Sequence, residues 1–410
     1  LSDTSPAVRK RFHRLAWPAG LGAVFLAIEF LDEVSFGLLG AAWPAIRDDL
    51  RLNYAQIGFL AGLPVIFGNA IEPLLGLLGD LGRRKRIIVA GGLCFALASL
   101  LTGVSASFAF LLLALVFFYP SSGAFVSLSQ ATLMDLDPAR RELGMARWTL
   151  AGAFGVMAGP LLLSLVLALG GSWRLPLAGL AAGALLLTAA VWVRRFPEKA
   201  ADAPGVSFRG LLRGLGSALR RVEVLRWLAL LAIGDLMLDV LLGFLALYGT
   251  DVVGVSPAAA GLMVAVWTGV GLIGDALLIP LLKRVDPLKY LRLSAAVTGV
   301  LFPAFLLLPW FAAKLTLLAL MGLWNAGWYA IPQAHLYAAL PGRSGTAMAV
   351  TSAFGMLAGG IPLALGALAL RYGLSATMWL LLAGPAGLLL LLPRGAPPAP
   401  AEISGNGDGK

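Results

Sequence analysis

Glu29-Phe30-Leu31-Asp32-Glu33 lies in the middle of an apolar run from about Trp17 to Trp43, and the reading of these five residues decides the fold. The run is long enough to cross a bilayer, for which about 20 helical residues suffice. On a helix Glu29, Asp32, Glu33 and Phe36 stand at i, i+3, i+4 and i+7 and share one face. A charged carboxylate facing lipid near the midplane costs at least about 2.5 kcal/mol. Three of them therefore belong against a watery cavity or inside a bundle, and further helices are needed to build it.

The rest of the chain supplies those helices. With 59% hydrophobic residues, 13% charged and a mean hydropathy of +0.88, the composition excludes a soluble globular domain and gives an all-α polytopic membrane protein. The net charge of +10 invites a nucleic-acid reading, but the asymmetry of basic residues described below accounts for it, and no nucleic-acid partner is expected. The single cysteine, Cys94, sits in an apolar span, which excludes disulfides and cysteine-ligated zinc; no metal or other cofactor is expected. The basic start (Arg9, Lys10, Arg11, Arg14) before an apolar run mimics a signal peptide. The run is too long, carries three acids and lacks a small-residue cleavage site, so it reads as the first transmembrane helix.

Twelve apolar spans can be drawn, at roughly 17–43, 54–79, 87–106, 109–134, 143–169, 173–193, 225–249, 256–282, 290–309, 315–339, 345–370 and 373–393. If the N-terminus is cytoplasmic, 26 Lys and Arg fall on the cytoplasmic side and five (Arg47, Arg51, Arg174, Lys314, Arg371) on the other. That imbalance places both termini in the cytoplasm of a cell whose plasma (bacterial inner) membrane holds the chain. The expected division is a bundle at 1–195, a cytoplasmic linker at 196–224, a second bundle at 225–394 and a disordered tail at 395–410. Within the linker, Phe208, Leu211, Leu212, Leu215 and Leu219 form one apolar stripe among arginines, as in a helix lying on an anionic leaflet.

An internal repeat sets the architecture. Shifting the first half by 203 positions brings Asp32 onto Asp235, Asp48 onto Asp251, Gly58 onto Gly261, Gly68 onto Gly271, Glu72 onto Asp275 and Gln130 onto Gln333. Ala153-Phe154-Gly155 then matches Ala353-Phe354-Gly355 after a short gap. Acidic pairs at one constant shift inside membrane spans imply two pseudo-symmetric six-helix bundles.

Twelve spans, a 6+6 repeat and a basic central loop resemble the major facilitator superfamily, and the resemblance covers essentially the whole chain. Its best local motif is Gly76-Leu77-Leu78-Gly79-Asp80-Leu81-Gly82-Arg83-Arg84-Lys85 after the second helix. The family pattern there is Gly-x-Leu-Ala-Asp-Arg-x-Gly-Arg-Arg; this chain is one residue shorter between Asp80 and Gly82 and lacks the Arg after the Asp. Gly155-x-x-x-Gly159-Pro160 is similar to the antiporter signature of the family, and small residues there allow close helix contact. The resemblance implies alternating access, a conformational latch formed by Gly76, Asp80, Gly82, Arg83 and Arg84, and a path lined by helices 1, 4, 7 and 10, in proteins resembling bacterial proton-coupled efflux members. It also implies a protein that works as a monomer.

Seven acids lie within the spans: Glu29, Asp32, Glu33, Glu72, Asp235, Asp239 and Asp275. No Lys or Arg lies deep in a span to pair with them, so they can exchange protons with a cavity, or else be neutral and hydrogen-bonded between helices. If the layout of the family holds, helix 4 offers Tyr119 and Gln130, and helix 10 offers Trp324, Asn325, Trp328, Tyr329 and Gln333, an aromatic surface suited to a cationic or amphipathic substrate. Packing or interface anchoring is the plainer account of the tryptophans. Three functional classes follow: a proton-coupled antiporter exporting a cationic or neutral small molecule; a proton symporter or passive facilitator of a neutral solute such as a sugar; and, remotely, an intramembrane enzyme. The carboxylates argue against passive transport of a neutral solute, and the Gly-x-Gly-Asp run of a di-aspartyl protease is absent, so an enzyme is not expected.

Overall fold

A computed structural model describes residues 20–78, 83–136, 141–196, 215–340 and 344–393. The first half holds α1 (Leu21–Leu50), α2 (Tyr54–Leu78), α3 (Arg84–Gly103), α4 (Phe108–Leu136), α5 (Arg141–Ala168) and α6 (Arg174–Val193). The second holds α7 (Val222–Val253), α8 (Pro257–Leu281), α9 (Pro287–Leu307), α10 (Phe311–Trp324 continuing as Ala330–Ala338), α11 (Ser344–Ala358 continuing as Gly360–Tyr372) and α12 (Leu374–Leu391). Among the described residues, ten helices are long and apolar enough to cross a membrane. The other two spans are α1, whose acids and terminal Arg47, Asp48 and Asp49 raise its charge, and α10, which is interrupted.

That interruption departs from the continuous tenth span expected from sequence. Residues Asn325–Tyr329 form turns, and Gly327 takes φ +76°, a left-handed conformation that glycine adopts without a Cβ penalty. Breaking a helix inside a membrane frees backbone groups that need partners. Neighbouring helices supply them. Ser294 Oγ (2.5 Å) and Tyr290 Oη (3.2 Å) on α9 donate to the Trp324 carbonyl, and the Gly327 N–H donates to Asp275 Oδ1 at 3.2 Å on α8. Helix α7 carries wide π-helical turns at Leu236–Val240 and Gly249–Val253.

An aromatic cluster of Phe25, Phe95, Phe118 and Phe125, all fully or almost fully buried, holds α1, α3 and α4 together in the first half. Between the halves, α2 packs on α11 and α5 on α8. Glycines make the first contact close: Gly58 and Gly62 of α2 abut the backbone of Pro362, Gly366 and Gly359 in α11. At the face where α1 ends, Arg47 bonds to Asp251 of α7 as well as to Asp48, and Tyr54 Oη donates to Asp251 at 2.5 Å. The polar ties at the other, basic face named here each stay within one half: Arg84 with Asp135 (2.5 Å), Lys85 with the Arg194 carbonyl (2.8 Å) and Arg221 with the Ala339 carbonyl (2.7 Å).

Candidate functional site

The acidic stretch of α1 is held by α5. Gly152, Gly155 and Gly159 recur on one α5 face, all buried, and a side chain on any of them would strike α1: the Glu29 carboxyl at Gly152, the Phe30 carbonyl at Gly155 and the backbone of Val34 and Leu38 at Gly159. Pro160 extends the contact to Gly37. The Gly155/Gly159/Pro160 segment singled out in the sequence is therefore the floor on which the carboxylates rest. Helix α5 also provides Trp148, whose indole lies beside the Glu29 carboxyl.

On its other side α1 borders a cavity of about 180 Å³ between α1, α2 and α4. Asp32, only 5% exposed, accepts a hydrogen bond from Ser122 Oγ at 2.8 Å, and Glu72 accepts one from Ser127 Oγ at 2.7 Å. Tyr119 lines the same cavity and its ring meets Phe36 edge-on at 5.2 Å. A second cavity of about 250 Å³ opens between α5, α7, α8 and α10 and contains Asp239 and Asp275, both exposed to it although they lie within the bundle. Asp235 and Asp239 stand at i and i+4 on α7, with their carboxyls against each other.

These groups interact across the two halves. Glu33 on α1 feels the charge of Asp239 on α7, and Tyr119 on α4 feels those of Asp239, Asp32 and Glu33. Among the described residues, the groups acting on Glu29, Asp32, Glu33, Asp235 and Asp239 are other carboxyls, Ser122 and Trp148, and none is a lysine or arginine.

The residues expected to bind substrate divide. Tyr119 and Asn325 line the cavities, and Tyr329 is 57% exposed. Trp328 is fully buried, with Nε1 donating to Ser294 Oγ at 2.5 Å, and Trp324 lies parallel to Tyr290 at 6.5 Å; both face α9 and pack the broken helix. Gln130 sits beside Met145, with its amide 3.7 Å from the sulfur. Gln333 keeps a buried Oε1 without a hydrogen-bond partner. His335 bonds the Ile331 carbonyl and stacks on Trp227, as a satisfied packing histidine does. Of the latch, Gly76 stands in the last turn of α2, Arg83 precedes α3 and Arg84 opens it, whereas Asp80 and Gly82 lie outside the described residues, as do most of the linker and the tail. Sequence reasoning missed three groups. Trp148 on Glu29 and the Arg47–Asp251 tie gave no local signal. Lys314, assigned to the far surface, is buried, its Nζ bonding the Phe305 carbonyl at 2.5 Å and Tyr248 Oη at 3.1 Å.

Two repeated halves, helices broken and widened at mid-span, and carboxylates collected around cavities inside the bundle define a membrane carrier. The Major Facilitator Superfamily matches residues 25–363. The chain belongs to that family and is a multi-span secondary transporter, not an enzyme. A bacterial homologue of the human lysosomal transporter Spinster, inward-facing and unoccupied, superposes with a TM-score of 0.72 at 17% identity, covering 91% of this chain and 94% of that one. The nucleoside transporter NupG superposes with a TM-score of 0.68 at 15% identity, covering 90% and 97%. At such identities the likeness is one of fold alone. The fosmidomycin resistance protein of Escherichia coli (strain K12) is 26% identical over 149 residues, 36% of either chain, so the match spans about a third of that relative.

Proposed function

We propose that this transporter exports a cationic or neutral small molecule in exchange for protons, with both termini in the cytoplasm. The observation that carries the reading is the set of carboxyls from both halves, Glu29, Asp32 and Glu33 on α1 against Asp235 and Asp239 on α7, acting on one another with no lysine or arginine among them in the described residues. Carboxyls so arranged cannot all be charged at once, so taking up a cation or a proton at one changes the hold of the others. Glu72 and Asp275 join the set from α2 and α8. The partial likeness to a resistance protein supports export over uptake. The basic asymmetry supports the orientation; with it, the face tied by Arg47, Tyr54 and Asp251 is the outer one. In this reading residues 1–195 and 225–394 move as two bodies, and Gly76, Asp80, Gly82, Arg83 and Arg84 latch the inner face.

Flux into proteoliposomes with and without a pH gradient tests the proposal. Asp32→Asn should remove gradient-driven accumulation while leaving downhill exchange measurable, and adding Asp235→Asn should remove coupling entirely. Uphill transport by the double variant at the wild-type rate would mean that the carboxyls only hold helices together.

A further inference from the structure

The two cavities are copies of each other. Advancing the first by 203 positions carries Val65 to Thr268, Gly68 to Gly271, Asn69 to Leu272, Glu72 to Asp275, Tyr119 to Gly322 and Ser122 to Asn325, and all six arrivals line the second. Each half thus has a chamber bounded by its first, second and fourth helices, the second closed also by α5; the first-helix acid is Asp32 in one and Asp239, four residues beyond the repeat partner Asp235, in the other.

The copies have diverged in a chemically directed way. In the first chamber both acids accept from serine hydroxyls, Asp32 from Ser122 and Glu72 from Ser127, and Tyr119 occupies space beside them; in the second, Asp275 accepts the backbone N–H of Gly327 and Asp239 lies against the carboxyl of Asp235. In the second chamber Leu272 replaces Asn69, and Gly322 replaces Tyr119, and the volume rises from about 180 to about 250 Å³. Two of its neutral polar side chains are spoken for: Asn325 accepts from Thr298 Oγ1 at 2.7 Å and donates to the Met237 carbonyl at 3.5 Å, and the Thr268 hydroxyl returns to the Val264 carbonyl at 3.0 Å. What faces a guest is a wall of Val156, Leu238, Leu242, Leu272 and Trp267 with two exposed carboxyls, Asp239 and Asp275. An apolar wall with two acids suits an apolar body bearing one cationic nitrogen.

We propose that the chamber between α5, α7, α8 and α10 is the substrate site and takes a small organic ammonium ion with an apolar body, while its twin between α1, α2 and α4 handles protons alone. This rests on the exporter reading above and narrows its substrate class. The volume favours a small aromatic or alicyclic amine over a drug-sized molecule.

Because Cys94 is the only cysteine, Cys94→Ser gives a clean background for thiol chemistry. Thr268→Cys and Val65→Cys report the two chambers from equivalent positions, and Leu272→Cys with Asn69→Cys form a second pair should either of the first fail to fold. The reagents are 2-ammonioethyl and 2-sulfonatoethyl methanethiosulfonate, each rate divided by that with a free thiol, on the full chain without a proton gradient. A chamber lined by one sign of charge raises the local concentration of the opposite ion about tenfold or more. Thr268→Cys should therefore prefer the ammonium reagent by about tenfold, and Asp239→Asn with Asp275→Asn should bring the ratio near one. 2-Phenylethylammonium should protect Thr268→Cys, 2-phenylethanol should not, and Val65→Cys should be protected by neither. A ratio near one at Thr268→Cys, equal protection by the alcohol, or equal protection of Val65→Cys by the amine would overturn the assignment. The two readings fail separately. Charge preference without gradient-driven transport sinks the exporter and leaves the chamber; coupled transport without charge preference sinks the chamber alone.

Discussion

Gly155→Ala adds one methyl group at the point where α5 rests on the acidic stretch of α1. The new Cβ would lie 2.5 Å from the Phe30 carbonyl oxygen and 2.8 Å from Glu33 Cβ, whereas ordinary contact begins at 3.4 Å. Both obstacles belong to or adjoin α1 backbone, so the helices must part, by about 0.9 Å at the tightest point (3.4 less 2.5). Overpacking of this kind costs about 1–3 kcal/mol. The ratio of folded to unfolded protein in mixed detergent micelles should fall by about five- to a hundredfold, at tenfold per 1.4 kcal/mol. Because the displacement is applied directly beneath Glu33, proton-coupled flux should fall further than folded fraction alone accounts for. Gly179→Ala on α6, where a Cβ meets nothing within 4 Å, is the control and should be neutral or slightly stabilising. If Gly155→Ala matches that control in both assays, α5 does not hold α1 by close backbone contact and the account of the motif is wrong.

Asp251→Asn removes one partner of Arg47 and weakens the closed face by about 1 kcal/mol; spin-label distances across the α1 and α7 ends should lengthen on average, and an unchanged distribution would dismiss the tie as a surface pair. Asp80→Asn should slow turnover without reducing membrane insertion, since the resemblance places Asp80 in a latch; wild-type turnover would reduce the motif to loop chemistry. A reporter active only outside the cytoplasm, fused after Arg394, should be silent, and activity would invert the orientation.

The repeat was legible because its acids recur at one spacing, and with it came the twelve helices and the family. The α1 acids were legible as inward-facing because their spacing leaves no other face. What escaped was whatever depends on a neighbour far along the chain. The break at Asn325–Tyr329 sits in an apolar run whose one hint is Gly327, and only the hydroxyls of α9 and the carboxyl of Asp275 make it tolerable. Trp324 and Trp328 look like a binding surface in sequence, yet the break turns them to α9. Lys314 reads as a surface lysine because nothing local announces the carbonyls and the Tyr248 ring that surround its ammonium. Arg47 was counted only as a basic residue of the sparse side; its tie to Asp251 spans the repeat.

The dependence of α1 on α5 has a consequence for how the protein is made. Charged, each acid near the centre of α1 opposes entry into the bilayer by about 2.5 kcal/mol or more. The glycines and Trp148 that receive those acids follow about 120 residues later in the chain, a delay of roughly 6–24 s at 5–20 residues per second. During that interval α1 lacks the α5 face that receives its acids. It must wait protonated or beside the insertion machinery, and biogenesis, more than the finished fold, sets how many acids α1 can carry.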